Sequence, residues 1–242
     1  MFLFKGIIFT LQFIRIIVSY TLACNKKIFQ VKLTNKKEND TMTSLHSGGF
    51  NMLDKSVPYA GFYMRREAGT PVFFSPLPAG FNFVLYSAGD ESAWARIEAS
   101  VLEFDSEFAA LMHFNEKFMP FSDELRRRCL FIENSDGYKV ATATAWWFDV
   151  AGERRPWLHW VAVIPEYQDL GLGKSIISRV TEMMIEIDGD KDFFLHTQTW
   201  SHKAVKIYKM NGFEPTAEKA LYKTQGSDYK KAMNILRGVA HA

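Results

Sequence analysis

Three groups of residues in this 242-residue chain have types and spacings that could do chemistry. The first is the run from Val161 to Lys174, VAVIPEYQDLGLGK, where an apolar stretch stops at Pro165 and gives way to Gln168, Gly171, Gly173 and Lys174. A helix start leaves its first backbone N–H groups without partners and carries partial positive charge. Glycines let an anion approach those N–H groups closely, so a strand, a glycine turn and a helix in succession form a phosphate cradle. Lys174 adds a cation. The spacing is too short for the dinucleotide pattern G-x-G-x-x-G and lacks the G-K-[ST] ending of a nucleotide-binding loop. That leaves a pyrophosphate of another kind, against the plainer reading of an ordinary tight turn. The second group is Tyr208, whose phenol, with an ordinary pKa of about 10, stays protonated at neutral pH and can donate. The third is His159. An imidazole with an ordinary pKa of about 6.5 suits proton transfer at neutral pH, although a histidine among tryptophans can also be a packed one.

These residues need elements to hold them. Strand-like runs are expected at 59–67 and 81–87, separated by turns rich in Pro and Gly. DESAWARIEASV and SEFAALMHFNEKF read as helices, with Asp90 and either Asp105 or Ser106 as caps and Pro120 as the second helix's stop. RRCLFIEN, YKVATATAWWFD and WLHWVAVI follow as three strands joined by the turns SDG and AGERRP, a spacing that predicts an antiparallel meander. On the last strand His159 would share a face with Trp157 and Val161. After Pro165 the apolar period becomes helical from about Gly171 to Ile187. DFFLHTQTW is a further strand. SHKAVKIYKMNGF is a short helix capped by Ser201 and stopped at Asn211-Gly212. KALYKT reads as an edge strand and SDYKKAMNILRG as a closing helix. The order indicates one mixed α/β domain over residues 42–242.

The glycine run and the later helix together resemble the GNAT superfamily of acyl-CoA-dependent N-acyltransferases. In that family Q/R-x-x-G-x-G/A follows a strand and cradles the pyrophosphate of coenzyme A. Gln168, Gly171 and Gly173 match it, with Asp169, Leu170 and Leu172 between them. Ala204, Tyr208, Gly212 and Phe213 match a second family pattern some forty residues on, with Ser201 at the usual asparagine position. The resemblance implies a central, mostly antiparallel twisted sheet flanked by helices, with a V-shaped cleft for acyl-CoA. It implies that Val161, Ala162 and Val163 offer main-chain groups to the pantetheine arm, and that residues 168–174, Ser201 and Lys203 contact the cofactor. It makes Tyr208 the acid beside the thioester sulfur. His159 stands at the offset where some relatives place a general base. Leu170 and Asp169 depart from the family's more basic usage at this loop.

Bulk properties set the frame. The chain is 48% apolar, enough for one sizeable core. Its net charge is +2, but residues 1–41 hold seven Lys/Arg and two Asp/Glu, so the body is slightly acidic. That argues against a nucleic-acid partner. The histidines lack metal spacing. Two cysteines, Cys24 and Cys129, make no disulfide framework, which suits a reduced, cytoplasmic protein. Residues 1–41 form a hydrophobic, basic extension. Lys5 and Arg15 cut it into pieces shorter than the roughly 18 apolar residues of a spanning helix. It reads as a signal-like segment, as translation upstream of a start at Met42, or as a terminal helix. A membrane enters only if residues 1–24 are a real anchor. The expectation is an acetyl-CoA-dependent N-acetyltransferase for a small amine. Alternatives are a silent acyl-CoA sensor or an enzyme acting on protein N-termini or lysines. A homodimer stays open.

Overall fold

The computed structural model describes residues 53–218, 221 and 228–240. The expectations for residues 1–41 and most of the edge strand at 219–224 lie outside the described residues. A seven-stranded sheet forms the centre. The strands are β1 (Gly61–Arg66), β2 (Phe81–Leu85), β3 (Cys129–Asn134), β4 (Lys139–Val150), β5 (Glu153–Val163), β6 (Phe193–Gln198) and β7 (Phe213–Thr216). Their order is β2-β3-β4-β5-β6-β1-β7, and every neighbouring pair is antiparallel except β5 with β6. The helices are α1 (Glu91–Ser100), α2 (Glu107–Lys117), α3 (Ser122–Arg128), α4 (Leu172–Asp188), α5 (His202–Met210) and α6 (Tyr229–Ala240). Among the described residues no helix is long and apolar enough to cross a membrane.

The core follows from the two periodicities. β4 is buried at every residue from Val140 to Trp146 because helices cover both of its faces. α4 sets Leu172, Ile176, Ile177, Val180 and Met184 against β3, β4 and β5. α1 packs Trp94 and Ile97, together with Phe114 of α2, towards β4 and β5. The β4–β5 turn is tighter than the expected AGERRP loop. Ala151 and Gly152 alone make it, both at positive φ (54° and 85°), as a two-residue hairpin whose twist matches the strands requires. β5 therefore begins at Glu153 and contains Pro156. That proline is tolerated because β6 joins β5 in one parallel pair, Trp157 with Phe194, leaving the start of β5 as an edge.

Other expectations need correcting. Asp90 stands at the N-cap of α1, but its side chain makes no cap bond. Its carboxylate instead accepts the Ser87 N–H (2.9 Å) and pairs with Lys139 (3.0 Å). Ser106 does cap α2, accepting from Ala109 N–H at 3.1 Å. Ser201 makes no side-chain cap bond on α5. α3 occupies part of what reads as strand, since Asp123 and Glu124 at its start and Arg126, Arg127 and Arg128 at its end complement the helix dipole. β7 was not expected, because FEPT is short and contains a proline; it pairs at the sheet edge with β1.

Arg128 ties these parts together. Its guanidinium is 2% exposed, donates to both Asp188 oxygens at 2.8 Å and to the Ala145 carbonyl at 3.0 Å, and pairs with Glu124 at 2.5 Å. Removing one member of such a buried set strands the others, at a cost of about 3–5 kcal/mol. Arg128→Ala is therefore expected to lower the urea midpoint strongly at unchanged m-value. Arg127→Ala, at a residue 51% exposed, should change stability by less than about 1 kcal/mol. Equal effects of the two would refute this account.

Candidate active site

The site begins with a fault in β5. Thr142 of β4 faces Ala162, but Thr144 faces His159, so Ala143 opposes both Trp160 and Val161. This is a β-bulge. Trp160 takes it up with φ 49°, a left-handed conformation costing a bulky residue roughly 1–2 kcal/mol. Its ring lies 5.1 Å from His113, 5.2 Å from Phe104 and 5.6 Å from Trp94. Aromatic pairs of this kind contribute about 0.5–1.5 kcal/mol each, enough to offset the strain. The alternation expected between His159 and Val161 is broken at Trp160, yet both residues border the same cavity.

That cavity, about 340 Å³, opens where β5 and β6 part beyond Trp157 and Phe194. Past this point β5 has no partner strand on its β6 side among the described residues, so its main chain there is unpaired. Val161, Ser201, His159 and Tyr208 border the cavity. Ala162 and Val163 are buried behind it, and Lys203 is exposed outside it.

Residues 168–174 do not border the cavity but are braced against it. Gln168 Nε2 donates to the Val163 carbonyl at 2.9 Å, so this side chain fastens the loop to β5 rather than facing outwards. Asp169 (φ 62°) and Gly171 (φ 88°) turn the chain sharply, and α4 starts at Leu172. Lys174 and Ser175 N–H both return to the Gly171 carbonyl, at 3.0 and 3.2 Å. Among the described residues the N–H groups of Gly171, Leu172 and Gly173 have no partner. Asp169, Leu170 and Lys174 are exposed. A Cβ on Gly173 would lie 3.6 Å from Ile207 Cδ1, so the open helix start rests on the residue beside Tyr208. Ser175 and Ser178 donate to the Pro76 and Phe73 carbonyls, both at 2.7 Å, which holds the loop before β2 along α4.

The titratable groups differ in kind. Burial, then the charges of Glu103 and Glu98, raises the Tyr208 phenol above its ordinary range, so it is a protonated donor at neutral pH. Burial, then His113 and His196, lowers His159 to about 3. Its Nε2 is buried without a partner, and its ring lies parallel to Phe148 at 5.9 Å. His159 is thus uncharged and weakly basic, which removes the premise of an ordinary imidazole pKa. Two further carboxyls border the cavity, Glu98 of α1 and Glu103 just beyond it. Sequence reasoning missed both, because Glu98 looks like a solvated residue of an amphipathic helix and Glu103 like a charge in the turn after it. His196 and Gln198, one face of β6, border it too.

A family model described as acetyltransferase (GNAT) family matches residues 94–213. Among solved structures, a GCN5-related N-acetyltransferase from Sphaerobacter thermophilus superposes with a TM-score of 0.53 at 18% identity, covering 66% of this chain and 49% of that one. A GCN5-related N-acetyltransferase from Kribbella flavida gives 0.46 at 21% identity, covering 64% of this chain and 54% of that one. The chain thus matches about half the length of each. No curated protein matches.

His159 supplies the test of these electrostatics. Its folded pKa lies below its unfolded value, so its contribution to stability is complete above about pH 6.5 and is lost as pH falls towards about 3. Its ring resonances, followed by NMR, are expected to stay flat from pH 8 to pH 5. A midpoint between 6 and 7 would contradict the buried, neutral assignment.

Proposed function

Since residues 94–213 belong to the acetyltransferase (GNAT) family, we propose that this protein transfers the acetyl group of acetyl-CoA to the nitrogen of a small primary amine. The observation that carries this reading is the gap between β5 and β6. Unpaired strand backbone lies along one side of it, Tyr208 borders it, and the residue next to Tyr208 touches an open helix start. The free N–H groups of Gly171, Leu172 and Gly173 suit the pyrophosphate, with the exposed Lys174 as a further cation. Gln168 acts indirectly, by fixing the loop to β5. Asp169 and Leu170 are exposed and form the turn's outer side, and Leu172 anchors the helix from beneath, being buried. Main-chain groups of Val161, Ala162 and Val163 suit the amides of the pantetheine arm. Ser201 borders the cavity just before α5, and Lys203 is exposed in that helix's first turn.

Bound acetyl-CoA supplies an acyl carbon joined to a fair leaving group, since a thiolate is the base of an acid with pKa about 8.5. The rest is positioning and proton handling. The Val161 N–H is the proposed donor to the acyl oxygen as charge develops there. Tyr208 is the proposed donor to the departing sulfur. His159, uncharged and with Nε2 unpaired, is proposed to accept a hydrogen bond from the attacking amine and so to aim it. A cavity of about 340 Å³ is near the lower end of ligand pockets, which favours a small acceptor over a folded protein segment.

The test is calorimetric titration of acetyl-CoA into the full chain, followed by thiol release with a panel of primary amines. Tyr208→Phe is expected to lower kcat about 100-fold while leaving acetyl-CoA affinity within about threefold. Gly173→Asp places a carboxylate where it favours the helix but repels phosphate, so affinity should fall at least tenfold without loss of thermal stability. Unchanged acetyl-CoA binding in Gly173→Asp would overturn the pyrophosphate assignment. Binding without thiol release for every amine would favour a sensor instead.

A further inference from the structure

The mechanism above leaves one buried group unused. Glu98 is 1% exposed, on α1, and borders the same cavity as Tyr208 and His159. Its Oε1 is buried with no hydrogen-bond partner, and no hydrogen bond to its carboxyl exists among the described residues. A buried carboxyl without a partner costs stability, and such a group at the wall of a cavity calls for a ligand that completes it. The surroundings narrow the ligand's chemistry. Glu103, exposed and bordering the same cavity, stands at its opening, where Gln198 Nε2 donates to it at 3.2 Å. Burial raises the Glu103 carboxyl, against the weaker pull of the Gln198 hydrogen bond and the Lys55 charge. Tyr63, Tyr208, His159 and His196 complete the titratable groups around the cavity, and burial lowers both imidazoles, which favours their uncharged forms. The space beside Glu98 therefore holds a buried carboxyl oxygen with no partner, a second carboxyl at Glu103, and aromatic or apolar walls. A compact ammonium supplies the partner that Glu98 lacks.

We propose that Glu98 is the group that receives the acceptor's ammonium and takes its proton, with Glu103 drawing the cation in at the opening. This rests on the acyl-transfer reading above for its catalytic half, but its binding half stands without it. The acceptor class is a small primary alkylammonium. The acceptor arrives as R–NH3+. Glu98 takes one proton and becomes a neutral carboxyl, releasing the lone pair. The C–N bond forms as the C–S bond breaks, and the sulfur leaves with the electron pair. It takes a proton from the Tyr208 phenol, which the nitrogen's second proton replaces. Glu98 then returns its proton to water past Glu103. The sum is an amide, a free thiol and one proton. Burial, reinforced by Glu103, raises the Glu98 carboxyl well above the usual carboxylate range, so the neutral form is favoured until an arriving ammonium supplies the charge that favours the carboxylate.

The experiment has two arms on the full chain. In the first, n-butylammonium chloride is titrated into wild type, Glu98→Gln and Glu98→Asp at pH 7.5 without coenzyme, with 1-butanol as the uncharged control. Wild type should prefer the ammonium, and Glu98→Gln should bind it at least tenfold more weakly. Glu98→Gln keeps the size and shape of the side chain, so it should fold. In the second arm, thiol release is followed against pH. Wild type should show an acid limb in kcat/KM that is absent in Glu98→Gln, with kcat reduced about 100-fold and partly restored in Glu98→Asp. If wild type binds no ammonium, or Glu98→Gln binds it as well as wild type, the proposal is wrong whatever the turnover. If binding depends on Glu98 but no amine releases thiol, the acetyl-transfer reading fails and the cation site stands. Turnover with the acid limb intact in Glu98→Gln would remove Glu98 as the base.

Discussion

The structure depends on the place where β5 stops pairing with β6. A seven-stranded sheet closed by hydrogen bonds along its whole width would have no room for a ligand between its strands. Here two of its central strands share one parallel pair and then part. Main-chain N–H and C=O groups in a sheet interior are normally consumed by neighbours, and leaving them open is costly unless something else takes them up. The bulge at Trp160 accompanies that opening: it breaks the β4–β5 register beside the gap, and aromatic rings from α1, α2 and the segment between them hold it in place. Two of the three helices between β2 and the meander, α1 and α2, thus support the backbone distortion beside the gap.

Around this gap the site divides by charge. The start of α4 offers unpartnered N–H groups and a lysine, and is bound to the gap through Gln168 and Gly173. The cavity wall offers carboxyls from α1 and the segment after it. The arrangement offers an anion and a cation separate places to bind. Tyr208 borders the same cavity, and burial, reinforced by these carboxyls, strengthens its phenol's hold on its proton.

Much of this was legible in the residues. The change from strand to helical period at Pro165, the glycines behind it and the Asn211-Gly212 stop are local signals, and local geometry produced the elements they predict. The antiparallel meander β3–β4–β5 followed from its short turns. What escaped had non-local causes. The bulge at Trp160 carries no glycine or proline to announce it; it exists because rings from α1, α2 and the loop between them reach the strand. Glu98 looks like any polar residue of an amphipathic helix until the packing of α1 turns it inward. The basicity expected of His159 failed for the same reason, since an ordinary pKa presumes water around the ring. α3 was masked by the strand that follows it directly.

Among the described residues Cys129 is the sole cysteine, fully buried at the start of β3, and burial pushes its thiol up to about 12 against the weaker pull of Thr144 and Thr142. Oxidants and electrophiles attack the thiolate, and at neutral pH this sulfur has almost none to offer. The one thiol among the described residues is therefore kept from oxidants and electrophiles by packing alone.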